Sequence, residues 1–210
     1  MRQQTIIFRE SVASDEVTSK SNLAFLLLSN RFFNAGFPPI AYIFAVFVQT
    51  PLNEIVNMPY GASILYLTFG VRLFIALVFG FQGLLWMVLG QVFIFAYYPT
   101  PNYQQHPIQS FLLTCAYSLI AYAIVEVVRK IRGLNDEFSS VRIQDILLIV
   151  SFAAFVATIF HYFVFGNNFS DPVYGMLSSF TGKFIGSMIG FYALMLLFSV
   201  LYEWKIPYRH

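Results

Sequence analysis

The chain has 210 residues, 58% hydrophobic and 10% charged, with twelve Lys plus Arg against ten Asp plus Glu. About a quarter of an ordinary soluble domain is charged, so this composition excludes a soluble enzyme, and 25 Phe with 13 Tyr exclude disordered, collagen-like and coiled-coil chains. A net charge of +2 without a long basic run leaves no electrostatic footprint for nucleic acid. The remaining class is an all-α membrane protein of about six transmembrane helices, with the lipid bilayer as its solvent.

Residues 1–22 are mixed in charge and rich in Ser, Thr and Gln. They lack the basic, apolar and small-residue order of a cleavable signal, so they are expected to form a cytoplasmic tail. The membrane domain then runs over 23–201, with a second short tail at 202–210. A crossing helix needs about 20 predominantly apolar residues. Leu23 to Val48 meets this length but contains Asn30, Arg31, Asn34 and the pair Pro38-Pro39, which predicts one tilted, broken span. An interfacial helix up to Asn34 followed by a short segment from Pro38 is the competing arrangement. Gly61 to Phe79 and Phe81 to Tyr98 follow with only Gly80 between them, the pattern of a tight helical hairpin. Ile108 to Val128, Ile146 to Phe165 and Phe184 to Leu201 complete six spans.

Six spans place Arg2, Arg9, Lys20, Arg129, Lys130, Arg132, Arg142, Lys205 and Arg209 on one side. The connections Gln49 to Tyr60, Pro99 to Pro107 and Gly166 to Gly182 contain no Lys or Arg. The positive-inside rule therefore predicts both termini in the cytoplasm, and the expected location is a bacterial inner membrane.

Ionisable groups inside a membrane are costly unless paired or hydrated, so they are the first candidates for function. Arg72 lies within the second span. Its expected partner is Glu126, near the cytoplasmic end of the fourth, with Arg31 at similar depth; two arginines and one carboxylate would leave a net positive pocket suited to an anion. A second group, His161, Asp171 and Lys183, is expected toward the outer face. His161 reads equally as a neutral, singly hydrogen-bonded ring, Asp171 as a turn or helix start before Pro172, and Lys183 as an interface anchor. His106 reads as a loop residue.

Gly182, Gly186 and Gly190 recur every fourth residue, a face on which another helix backbone approaches closely, either inside the fold or on a partner; Ala41 and Ala45 form a weaker one. Three scattered histidines and the lone Cys115 cannot supply metal-ligand spacing, and no nucleophile elbow, P-loop or dinucleotide motif is present. No metal, cofactor or enzymatic activity is expected.

ASILYLTFGVRLFIALVFGFQGLLWMVLGQVF, from Ala62 to Phe93, resembles the MASE-type integral membrane sensor family, and TGKFIGSMIGFYALMLLF resembles that family's closing helix. The resemblance implies signal input at the cytoplasmic membrane, acting here through a separate partner protein. Six spans in about two hundred residues with an Ala-x-x-x-Ala face also look like the substrate-binding membrane subunits of energy-coupling-factor transporters, which implies a small-molecule ligand held toward the outer face. The third reading is a structural accessory subunit of a larger membrane complex.

Overall fold

The computed structural model describes residues 31–55, 66–97, 107–134, 141–165 and 171–202. These form five helices and no strand: α1 (Arg31–Ile55), α2 (Leu67–Tyr97), α3 (Pro107–Arg132), α4 (Ile143–Phe165) and α5 (Pro172–Tyr202). All five are long and apolar enough to cross a membrane. The expected tail at 1–22, the segment 23–30, parts of the three connections free of Lys and Arg (56–60, 99–106 and 166–170), with His106 among them, and 203–210 lie outside the described residues.

Large apolar side chains face outward around the bundle, among them Phe44, Leu89, Leu119, Phe155 and Ile189, while Arg72, Gln91, Ser187 and Lys183 are buried. Water would favour the reverse distribution. A hydrocarbon solvent favours this one, because it accepts the apolar exterior and leaves polar groups to find partners inside.

α2 is helical on both sides of Gly80 but reverses there, at φ 60 and ψ −153. This backbone conformation is essentially restricted to glycine. The reversal follows from two contacts: the Phe69 ring lies 6.0 Å from that of Tyr117, and the Gln91 amide donates to Ser118 Oγ at 3.2 Å. Tyr117 and Ser118 are neighbours on α3, whereas Phe69 and Gln91 would stand roughly 33 Å apart on a straight helix at 1.5 Å per residue. The first arm, Leu67 to Phe79, is the centre of the bundle, buried from Leu67 through Leu77.

α5 packs on that arm backbone to backbone. A Cβ on Gly186 would stand 2.3 Å from the Tyr66 nitrogen, one on Gly190 2.7 Å from the Leu67 oxygen, and one on Gly70 2.4 Å from the Ser187 oxygen. At this crossing the Tyr66 N–H donates to the Gly182 carbonyl at 3.2 Å, and Phe74 meets Phe191 edge-on at 5.5 Å. The glycine face of α5 is thus covered from inside the chain. Ala41 and Ala45 are buried in the same core.

Two expected boundaries are corrected. α1 is not broken at Pro38-Pro39: it runs from Arg31 to Ile55 with Pro38, Pro39 and Pro51 inside it. The proline backbone is braced by its neighbours. Gly90 admits Pro39, whose carbonyl would lie 2.8 Å from a Cβ there, and Phe37 stacks on Phe79 at 5.5 Å. α5 starts at Pro172, twelve residues before Phe184, because Asp171 caps it: Asp171 Oδ1 accepts from the Val173 and Tyr174 N–H groups at 3.0 and 3.1 Å, with proline at the first helical position.

One end of the bundle gathers basic residues around the Gly80 reversal. Phe33, two residues into α1 after Arg31, reaches Phe79 at 6.1 Å, and Arg129 Nη2 donates to the Leu77 carbonyl at 2.5 Å, covering an acceptor left open where the first arm ends. Arg129 also pairs with Glu126 at 3.1 Å, and Arg132 with Asp145 at 2.9 Å. Asp145 in turn accepts from the Arg142 N–H at 2.9 Å and so fastens the first turn of α4. Gly133, at φ 61, closes α3 with the Leu134 N–H on the Arg129 carbonyl.

Candidate polar site inside the bundle

Lys183 is 1% exposed, eleven residues into α5. Its Nζ donates to Ser179 Oγ one turn earlier, and lies 4.7 Å from the Tyr66 ring centroid and 5.7 Å from that of Tyr117. Tyr117 reaches across to α4, where its hydroxyl makes a 2.6 Å hydrogen bond with His161 Nδ1, the two rings lying nearly parallel. Four segments therefore meet here: Tyr66 before α2, Tyr117 from α3, His161 from α4, and the Ser179–Lys183 turn of α5.

The site is rich in hydrogen-bond donors, with the Lys183 amino group at its centre. Among the described residues no Asp or Glu stands within ion-pair distance of Lys183. Two cation–π contacts contribute about 0.5–2 kcal/mol each, and one hydroxyl adds about 1.5–3 kcal/mol. Together these contacts amount to about 2.5–7 kcal/mol, comparable with the several kcal/mol that burying an unpaired ammonium costs after relaxation. Ser187 continues the same α5 face one turn beyond Lys183, and Thr158 lies one turn from His161 on α4. Both hydroxyls are buried, and among the described residues neither has a hydrogen-bond partner. The arrangement offers charge and hydroxyl donors to an acceptor that the chain does not itself provide.

No family model, curated protein or solved structure matches this chain.

The expected groupings are partly rearranged. His161 and Lys183 meet through Tyr117, but Asp171 does not join them; it caps α5 twelve residues before Lys183, roughly 18 Å along the helix. Lys183 is not an interface anchor, because α5 extends well beyond it on both sides. Arg72 does not pair with Glu126. Its Nη2 donates to the Tyr42 hydroxyl at 3.0 Å, while Glu126 is engaged by Arg129 on its own helix, where i,i+3 spacing needs no tertiary approach. Arg31 stands exposed at the start of α1, eleven residues from Tyr42, so it shares neither depth nor partner with Arg72.

Several residues of the site carry no distinctive mark in the sequence. Tyr66, Tyr117 and Tyr42 are three of 13 tyrosines among 25 phenylalanines, and nothing in their local spacing separates them. The Ser179–Lys183 spacing of four was a usable signal, provided that both residues were placed on a helix. Gln91 was another, a polar side chain in an apolar run, now buried and bonded to Ser118 and Cys115.

Proposed function

We propose that this chain is an integral membrane module that recognises a small anionic molecule at the Lys183 site and passes its bound state to a separate protein, in a sensor-like role. The observation that carries the reading is the buried amino group of Lys183, held between two tyrosine rings with no carboxylate of the described residues within ion-pair distance. A cation retained in low dielectric at this cost is an electrostatic host for an anion, and the surrounding hydroxyls and imidazole supply directional bonds.

In this reading the Gly80 reversal makes α2 two crossings and the bundle six, in a bacterial inner membrane. Arg31, Arg129, Lys130, Arg132 and Arg142 then face the cytoplasm with both termini, and the Lys183 site opens toward the outside. Support comes from the positions of these five basic residues at the Gly80 end and of Tyr66, His161 and Asp171 toward the other.

The test is native mass spectrometry of the full chain purified in nanodiscs, beside Lys183→Met and Lys183→Arg. The wild type retains an anionic small molecule, Lys183→Met loses it, and Lys183→Arg keeps part of it. Equal retention by all three variants, or no anion in any, would overturn the assignment.

A further inference from the structure

Arg72 presents a second buried cation on a different face of the central arm. It is 4% exposed, and no Asp or Glu among the described residues lies within ion-pair distance. Its guanidinium sits 5.0 Å from the Tyr42 ring centroid, Nη2 donates to the Tyr42 hydroxyl, and Nε is buried with no hydrogen-bond partner among the described residues.

The position is distinct from the Lys183 site. Arg72 lies six residues beyond Tyr66, roughly 9 Å farther along the arm toward Gly80. It turns toward α1, as Thr68 does one helical turn earlier through its bonds to Gln49 Oε1. Gly70, between them, faces α5. The direct contacts of the two cations therefore differ, although Tyr117, whose ring lies beside Lys183, is also within electrostatic reach of Arg72.

A phenol is an incomplete partner for a guanidinium. Arginine has five N–H donors in a planar fork and cannot shed its charge to escape burial, as a lysine can. An unbonded Nε–H leaves open the part of the fork that carboxylates and phosphates engage. Snorkelling does not relieve it, since Arg72 is eight residues from Gly80, roughly 12 Å, and its side chain is already committed to Tyr42.

We infer that Arg72 and Tyr42 form a second anion-binding position, deeper in the membrane than Lys183, which takes a carboxylate or phosphate group through the Arg72 guanidinium and the Tyr42 hydroxyl. The chemistry is an anionic pair of oxygens, supplied either by a small solute or by a phospholipid headgroup drawn in between α1 and the hairpin. This inference stands on Arg72 alone and does not require Lys183 to bind anything.

Calorimetric titration of the full chain in nanodiscs tests it, with benzoate and inorganic phosphate as separate probes. Zwitterionic nanodiscs report on the solutes, and native mass spectrometry from nanodiscs containing phosphatidylglycerol reports on a retained headgroup. Arg72→Gln, which keeps donors but removes charge, weakens the Arg72-dependent binding roughly ten- to hundredfold, while Arg72→Lys weakens it less. Lys183→Met leaves this event in place. Solute binding lost in Arg72→Gln identifies a solute site, and loss of a retained anionic lipid identifies a headgroup site; either outcome supports the position. Benzoate, phosphate and lipid binding all unchanged in Arg72→Gln, with circular dichroism showing a folded variant, would overturn it. Loss of every event in Lys183→Met would overturn it as well, since one site would then account for both cations.

Discussion

Replacement of Gly186 by alanine tests whether the α5 crossing holds the bundle together. The new Cβ would stand 2.3 Å from the Tyr66 nitrogen and 2.9 Å from its Cα, whereas ordinary contact begins at 3.4 Å. Both clashing atoms are backbone, so no side-chain rotation relieves them, and α5 must retreat by about 1 Å, the difference between ordinary contact and the present 2.3 Å. Such a retreat stretches the Tyr66 N–H to Gly182 carbonyl bond, now 3.2 Å, past bonding range. Overpacking costs about 1–3 kcal/mol and the orphaned N–H about 1–3 kcal/mol, so a loss of about 2–6 kcal/mol is expected. SDS-driven unfolding of the purified protein, followed by circular dichroism, measures it. Gly36→Ala is the control, because nothing lies within 4 Å of a Cβ there and alanine is the better helix former. Gly186→Ala unfolding within about 0.5 kcal/mol of wild type would refute the close crossing, since that is the range of a surface substitution.

Four further outcomes follow from the same geometry. Gly80→Ala forces a side chain to φ 60 and costs about 1–3 kcal/mol in the same unfolding assay; an unchanged midpoint would mean that the hairpin turns elsewhere. Asp145→Asn weakens the bonds to Arg132 and the Arg142 N–H and costs about 1–2 kcal/mol; because Arg132 is largely exposed, most of this loss lies in the backbone bond and survives added salt, which a titration with sodium chloride checks. Asp171→Ala costs about 1 kcal/mol and Asp171→Asn much less, since the cap needs only an acceptor; equal losses would indicate a role beyond capping. In a Cys115→Ala background, Asp171→Cys reacts with an impermeant maleimide on intact cells and Lys130→Cys only after permeabilisation, and the opposite pattern would invert the threading.

The Gly80 hairpin was legible because a single residue separates two apolar runs, and only glycine adopts the backbone that joins them. The rest depended on contacts between distant residues. Pro38 and Pro39 read as a break since their local effect is disruptive, while the brace at Gly90 and Phe79 lies some forty to fifty residues away in sequence. The start of α5 is hidden for a related reason: Ser178, Ser179, Thr181 and Gly182 resemble a loop by hydropathy, yet they are helical, and Gly182 brings its carbonyl to the Tyr66 N–H. Depth alone also misled the pairing of Arg72 with Glu126. Distance from a helix end sets the level of a side chain, but its angle around the helix sets its neighbours, and Arg72 turns toward α1.

The packing of the central arm and the chemistry proposed for it are coupled through Tyr66. Its N–H and its ring serve different parts of the structure: the N–H bonds to Gly182 at the glycine crossing, and the ring faces Lys183. Glu126, Asp145 and Asp171 are engaged at the helix ends by Arg129, by Arg132 and by a helix N-terminus, so none is available to neutralise either interior cation. Under the proposed function, a bundle that keeps these carboxylates at its rims and two cations inside would favour guests that carry negative charge, and would discriminate against neutral isosteres because they leave both cations uncompensated. It follows that Gly186→Ala, one turn from Lys183 and pressed against Tyr66, should weaken anion binding along with folding, whereas Gly80→Ala, at the opposite end of the arm, should reduce stability while leaving the Lys183 site intact in the molecules that remain folded.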